Sequence, residues 1–403
     1  MIKTLFKFDK TIWIMIFLMI IGYILIHDLL GGTLFAHSHW DSYTLQSLAW
    51  LRGETGLGKD YSYLELAIYN NNWYVSFPPL PSVFMLPFAL VFGEMTPNNL
   101  IIAVYSLISA VIAYKCMREI GARDIFAAFW AVFVVWGCNL MWMSTNGGVW
   151  FQAQSLNMLL CLATVYLMLK DHRVFSYITL ALAVGCRPFS IVFFPVLFIY
   201  YFMKDKAVRF NEKPLRLMLG QLKCFVGPAV IGGAYMIYNY VRFGNPIEFG
   251  HNYLPEFVNS PNGQFHLSYL LPNLYNLFLR PITLGLNGGL QYPMFDGFMF
   301  YIANPIFIVW FICLIEDLLR KEMTMVKAAI CVAVLVNIIL LCLHKTLGGW
   351  QFGARYTIDM IPMVFLYLLL SKKARPTRTD LVIGAFAVML NVYGALAMTF
   401  LQV

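Results

Sequence analysis

Asp41 stands in Trp40-Asp41-Ser42-Tyr43, directly after the first long apolar run. A carboxylate at that place could take a proton from an incoming hydroxyl. It also fits a plainer role. Ser38 and Asp41 read as an S-x-x-D capping box, and Leu45, Leu48 and Ala49 follow at helical spacing, which predicts a short helix just outside the first run. The two roles are compatible, since a capped carboxylate is also an oriented one. As a cap alone, Asp41 should tolerate Asn with the fold largely intact, because the amide keeps an acceptor oxygen.

Two arginines complete the chemically suggestive set. Arg187 lies in Gly185-Cys186-Arg187-Pro188-Phe189, between two apolar stretches. A charge near a membrane interior is costly and faces either a cavity or a partner, and Asp28 or a carbonyl is the candidate partner. Arg355 ends Gly348-Gly349-Trp350-Gln351-Phe352-Gly353-Ala354-Arg355. A guanidinium keeps its charge in low dielectric and forks onto phosphate oxygens. Glu65, Trp350 and His251, all between apolar runs, are the further residues expected to touch substrate.

These residues need a frame, and the composition says what kind. Of 403 residues 60% are hydrophobic and only 12% charged, too little polar material to cover soluble domains. Apolar runs at about 12–35, 99–114, 125–142, 150–169, 174–186, 188–203, 224–241, 300–315, 326–343, 356–370 and 381–402 predict an all-α polytopic membrane protein of about eleven spans, forming one domain over 1–403. The first run is too long for a signal-peptide core and reads as a retained span.

The net charge of +8 is a topology signal, not a footprint for nucleic acid. With the N-terminus cytoplasmic, most Lys and Arg, including Lys115, Arg118, Arg123, Lys204, Lys206, Lys372 and Lys373, fall on the inner side. The other face receives two long segments, 36–98 and 243–299, which is where a site would be built, on the outer face of the cell membrane.

Within the first of them, Tyr69-Asn70-Asn71-Asn72-Trp73 predicts a tight turn in a small hairpin. The run 80–92 is short and carries Pro81 and Pro87, which suits a helix lying at the interface. Gly53 to Lys59 mimics a nucleotide-binding loop, but Asp60 replaces the metal-binding hydroxyl and a helix precedes it, so it reads as a turn. The eight cysteines show no metal-ligand spacing and read as reduced packing residues.

The ordered set Trp40-Asp41-Ser42-Tyr43, Ser76-Phe77-Pro78-Pro79-Leu80-Pro81, Gly185-Cys186-Arg187-Pro188, Tyr238 to Pro246 and Trp350 to Tyr356 resembles the bacterial polytopic glycosyltransferases of the GT-C class. Their members include protein mannosyltransferases and lipid A aminoarabinose transferases. The resemblance implies transfer of one sugar from a polyprenyl-phosphate donor to a hydroxyl acceptor on a glycan, lipid or protein. It matches Asp41 to the catalytic carboxylate, Arg187 to a basic residue of the central cavity, and Arg355 to a residue contacting lipid phosphate. No cofactor is implied, and a divalent metal is left open. One base and cationic help for the departing phosphate meet the needs of an inverting displacement. The competing class is a transporter or flippase of a lipid-linked saccharide, which would also use intramembrane charge and broken helices. Against it, no repeated halves are evident.

Overall fold

Every apolar run of the sequence becomes helix in the computed structural model, which describes residues 9–285 and 289–400. The first helix, α1 (Lys10–Leu29), starts where the Asp9 carboxylate accepts the Ile12 N–H at 3.0 Å. It stops at Gly31-Gly32, both in the left-handed region at φ 87° and 76°. The chain continues through α2 (Ser42–Leu51), α3 (Leu80–Phe92), α4 (Asn98–Glu119), α5 (Asp124–Trp136), α6 (Val149–Leu169), α7 (Arg173–Val184), α8 (Phe193–Val208) and α9 (Val226–Phe243). It ends with α10 (Leu270–Phe278), α11 (Ile306–Leu319), α12 (Met325–Leu343), α13 (Ile361–Leu370) and α14 (Arg378–Phe400). Lys3, Lys7 and the last two residues of the final apolar run lie outside the described residues.

Among the described residues, six helical stretches are long and apolar enough to cross a membrane: Lys10–Leu29, Asn98–Glu119, Val149–Leu169, Pro214–Phe243, Met325–Leu343 and Arg378–Met398. The other expected spans are shorter or broken. α5 ends at Gly137, α11 is preceded by a separate turn of helix at Phe300–Ala303, and α13 follows a 3₁₀ turn at Arg355–Met360. The protein is a mostly helical, multi-pass membrane protein.

The expectation of an all-α chain needs a small correction. Leu66–Tyr69 (β1) and Asn72–Val75 (β2) form an antiparallel hairpin, and Thr283–Leu284 pairs with Leu290–Gln291. The first turn is the one read from the Asn triplet: Asn70 and Asn71 sit at φ 49° and 58°, the two left-handed positions a two-residue hairpin needs.

The centre of the bundle is α4, α6 and α13. α6 packs on α4 and α7, α4 on α5, and α14 on α5. α13 is buried along almost its whole length, from Ile361 to Leu369. α1, by contrast, leaves Trp13, Phe17, Leu18 and Leu25 uncovered, a surface that suits lipid.

Polar side chains stitch these helices where they are buried. Asn139 Oδ1 accepts from Asn304 Nδ2 at 3.0 Å and from Ala354 N at 2.9 Å, and its own amide donates to Asn391 Oδ1 at 3.2 Å. This knot fixes the segment that carries Arg355. Gly353 beside it has φ 77°, and a Cβ there would lie 2.4 Å from that of Ala303. Asn139→Leu leaves the Ala354 N–H and the Asn304 amide without their acceptor. It is expected to cost about 1–3 kcal/mol for each group left unpaired, read as a lowered melting temperature in the same detergent.

Candidate active site

The long segment 36–98 is anchored onto the break between α7 and α8. Leu80 N, at the start of α3, donates to Gly185 O at 3.0 Å, so Ser76-Phe77-Pro78-Pro79 is brought beside Arg187. A Cβ at Gly185 would lie 2.1 Å from the Tyr235 hydroxyl, so a larger residue there would push that ring aside. Two motifs far apart in sequence thereby meet in space.

They surround two adjoining cavities. The larger, about 890 Å³, has Glu65, Trp40, Trp150, Trp350, Glu256 and Arg355 on its wall. The smaller, about 210 Å³, is lined by Arg187 together with Phe189, Phe249 and Phe265. Phe77, Trp150, His251, His344 and Tyr356 belong to both, which marks where the two meet.

Arg355 is 4% exposed. Its Nε and Nη2 donate to Gly348 O at 3.0 and 2.6 Å, and Nη1 donates to Gln154 Oε1 at 3.0 Å. These acceptors are neutral, and no described carboxylate forms an ion pair with it, so its charge has no direct counter-ion. Arg187 is different. Its Nε donates to Asp359 Oδ2 at 2.9 Å, and Asp359 in turn accepts from Asn157 Nδ2 at 3.1 Å. The anticipated partner Asp28 is thus replaced by Asp359. Both guanidiniums lie against the ring of Tyr356, at 4.6 Å for Arg187 and 4.8 Å for Arg355.

Glu65 accepts a hydrogen bond from Trp150 Nε1 at 2.9 Å. Its side chain is exposed to the cavity, and desolvation by the surrounding protein raises its pKa against the lowering by Trp150 and Arg355. Glu256, which the sequence reading passed over, shares the wall, and burial and the nearby Glu65 charge raise it as well. His251 and His344 are held neutral, lowered to about 4 chiefly by burial. His251 stacks on Phe257 and meets Phe77 edge-on. Trp350 is 57% exposed and pairs with Phe295.

Asp41 lies behind this wall. It is the N-cap of α2: its Oδ1 accepts from Thr44 N at 3.1 Å and from Gln152 Nε2 at 2.7 Å. Oδ2 accepts from Asn98 Nδ2 at 2.7 Å and from the Thr44 hydroxyl. The residue is 1% exposed, and only its neighbour Trp40 reaches the cavity. The capping box is corrected accordingly, because Ser38 caps nothing and its hydroxyl donates to Asn146 Oδ1 at 2.9 Å. Nearby, His37 contacts the Thr96 carbonyl and His39 stacks on Tyr63, and neither lines the two cavities. The stretch from Gly53 to Lys59 is irregular turn, as expected.

Asp359 was legible in principle, being an acid inside the apolar run 356–370, which by itself asks for a partner. Among the described residues no group of three metal-capable side chains comes together.

No family profile and no curated sequence matches the chain. Solved structures do share its fold. ArnT from Cupriavidus metallidurans bound to undecaprenyl phosphate superposes with a TM-score of 0.53 at 13% identity, over 92% of this chain and 62% of ArnT. The Archaeoglobus fulgidus oligosaccharyltransferase superposes with a TM-score of 0.50 at 12% identity, over 95% of this chain and 55% of the enzyme. The archaeal oligosaccharyltransferase AglB from Archaeoglobus fulgidus, in complex with an inhibitory peptide and a dolichol-phosphate, gives 0.50 at 11% identity, over 95% of this chain and 55% of AglB. The chain therefore shares the fold of ArnT and of the archaeal oligosaccharyltransferase. It spans little more than half the length of these neighbours.

Proposed function

We propose that this protein transfers one sugar from a polyprenyl-phosphate donor to a hydroxyl acceptor, on the outer face of the cell membrane and with inversion. The observation that carries the reading is Arg355: a buried guanidinium without a carboxylate partner, on the wall of a cavity large enough for a sugar and an acceptor. Such a charge is stabilised by an anion, and a phosphate offers oxygens matched to its fork. Arg187, already oriented by Asp359, adds positive potential in the adjoining chamber. Glu65, Trp350 and His251 line the space in which the sugar would lie.

In the displacement, the acceptor oxygen bonds to the anomeric carbon as the bond from that carbon to the phosphate oxygen breaks. The phosphate leaves with the electron pair, and the hydroxyl proton passes to a carboxylate. Asp41 is the base that the resemblance implies. For that role the acceptor hydroxyl must displace one of the amides of Asn98 and Gln152 from the carboxylate. A second reading gives the proton to Glu65, and its favouring observation is that Glu65 already stands on the cavity wall with a raised pKa. No cofactor enters the proposed chemistry.

The proposal also includes about eleven membrane crossings, a cytoplasmic N-terminus and a single domain, with the short helices working in series. A reporter fused near Lys372 should read cytoplasmic and one near Asn262 external. A cytoplasmic reading at Asn262 would put both cavities on the wrong side for this donor. Purified protein in vesicles without any ion gradient should consume a lipid-phosphate sugar. Movement of the lipid across the bilayer without transfer would make it a flippase instead.

A further inference from the structure

The second outer segment contains a helix whose solvent-side face is apolar. Leu267, Leu271, Tyr275 and Leu279 recur every four residues through α10 and its flanks, and they are 74, 74, 52 and 65% exposed. Asn273 and Leu277, on the other side, are buried. No charged residue occurs from Leu267 to Leu279. A water-facing helix would not show such a stripe.

The depth of this helix is set by its bonds. Asn273 Nδ2 donates to the carbonyls of Cys342 and His344 at 3.2 and 2.7 Å, and His266 N donates to Leu343 O at 3.0 Å. α10 is therefore tied to the outer end of α12, one of the membrane-crossing helices. α10 packs on α12, which itself leaves Val332, Leu335 and Ile339 uncovered. Just before the stripe, Gln264 and Phe265 line the smaller cavity, and Phe265 meets His344 and Phe189 edge-on.

We propose that α10 lies in the outer leaflet, with the Leu267–Leu279 stripe in contact with acyl chains, and that this stripe forms the apolar track along which the isoprenoid chain of the donor reaches the smaller cavity. The occupant is lipid because the stripe is uncharged, aromatic at Tyr275 and carried on a helix that packs against one long and apolar enough to cross a membrane. The second half of the proposal rests on the donor assigned under Proposed function; the first half does not.

The two halves are tested separately in reconstituted vesicles. A single cysteine placed by Leu271→Cys in a Cys331→Ala background, the other cysteines being buried, carries an environment-sensitive fluorophore. Its emission should be blue-shifted and quenched by doxyl-labelled lipids, while the same label at Asn262 should be quenched by aqueous iodide. Iodide quenching at 271 equal to that at 262 would overturn the assignment. So would protection at 271 from both quenchers, which would indicate a protein on this face. For the track, Leu271→Gln and Leu271→Glu should raise KM at least fivefold for a long-chain donor and leave a short-chain, micelle-soluble donor unchanged. Equal KM values for the long-chain donor would overturn the track. A parent that transfers no sugar from any lipid phosphate would remove the donor reading and the track together, with the fluorescence result still standing.

Discussion

Asp41→Asn is expected to slow sugar transfer at least a hundredfold while donor binding persists, since loss of a general base typically costs about a hundred- to ten-thousand-fold. The structure adds a second expected effect that the sequence did not suggest. The carboxylate accepts from Thr44, Asn98 and Gln152. An amide in its place turns one acceptor into a donor facing two other donors, so one neighbouring amide must flip or lose its bond. The variant should therefore melt lower, by a stability loss of about 1–3 kcal/mol, and rates must be compared well below its transition. Glu65→Gln separates the alternatives, because Glu65 carries no such frame and keeps only the Trp150 bond. If Asp41 is the base, Glu65→Gln changes KM more than kcat. A hundredfold fall in kcat for Glu65→Gln, with near-parental transfer by Asp41→Asn below its melting point, would reverse the assignment and leave Asp41 as cap and scaffold.

The raised pKa of Glu65 supplies an independent readout. A base must be deprotonated to act, so transfer through Glu65 would fall as pH drops through a value above the ordinary carboxylate pKa of about 4.3. Trp150→Phe removes the hydrogen bond that lowers this pKa, and the acid limb should then move further up. If Asp41 is the base, the limb should stay where it is. His251 and His344, lowered to about 4, contribute no inflection near neutral pH on either reading.

Arg355→Gln should weaken donor binding or turnover by about 1.5–3 kcal/mol, the worth of a charge-assisted bond, or roughly ten- to a hundred-and-fifty-fold. Arg355→Lys should recover only a small part, since the fork onto Gly348 and the approach to phosphate both use guanidinium geometry. Arg187→Gln is expected to have a smaller effect on donor binding and a larger one on stability, because it strands the carboxylate of Asp359. Isothermal titration with the lipid phosphate alone, beside thermal melts, distinguishes these outcomes. An Arg355→Gln variant that binds lipid phosphate like the parent would end the clamp reading.

Much of the architecture was legible because hydropathy and turn chemistry act locally. Asn70 and Asn71 tolerate left-handed backbone, so the hairpin could be read, and the short proline-marked run gave α3. Bundle interior and lipid-facing surface could not be separated, because both are apolar. The buried Leu366 and Leu368 of α13 and the uncovered Phe17 and Leu18 of α1 look alike in sequence. The site was legible as residue types, not as pairings. Arg187 and Asp359 stand 172 positions apart, and nothing local to either names the other. The placement of Asp41 behind the wall was hidden for the same reason, since Asn98 and Gln152 reach it from α4 and α6.

The sparse covering of α1 has a practical consequence for handling the protein. Its polar holds on the bundle include the Tyr23 hydroxyl, which bonds the Ser106 and Ser144 hydroxyls at 2.6 and 2.8 Å, and the Asp9 cap, which accepts from the Tyr114 hydroxyl at 2.6 Å. The rest of its grip is apolar contact of the kind that a surrounding bilayer reinforces and a short-chain surfactant competes for. Harsh extraction should therefore peel α1 before it unravels the remainder, dragging residues 30–41 out of register. A preparation could keep nearly all of its helical circular dichroism and still be dead. Mild, lipid-supplemented solubilisation is the condition under which an assay on this protein would be informative.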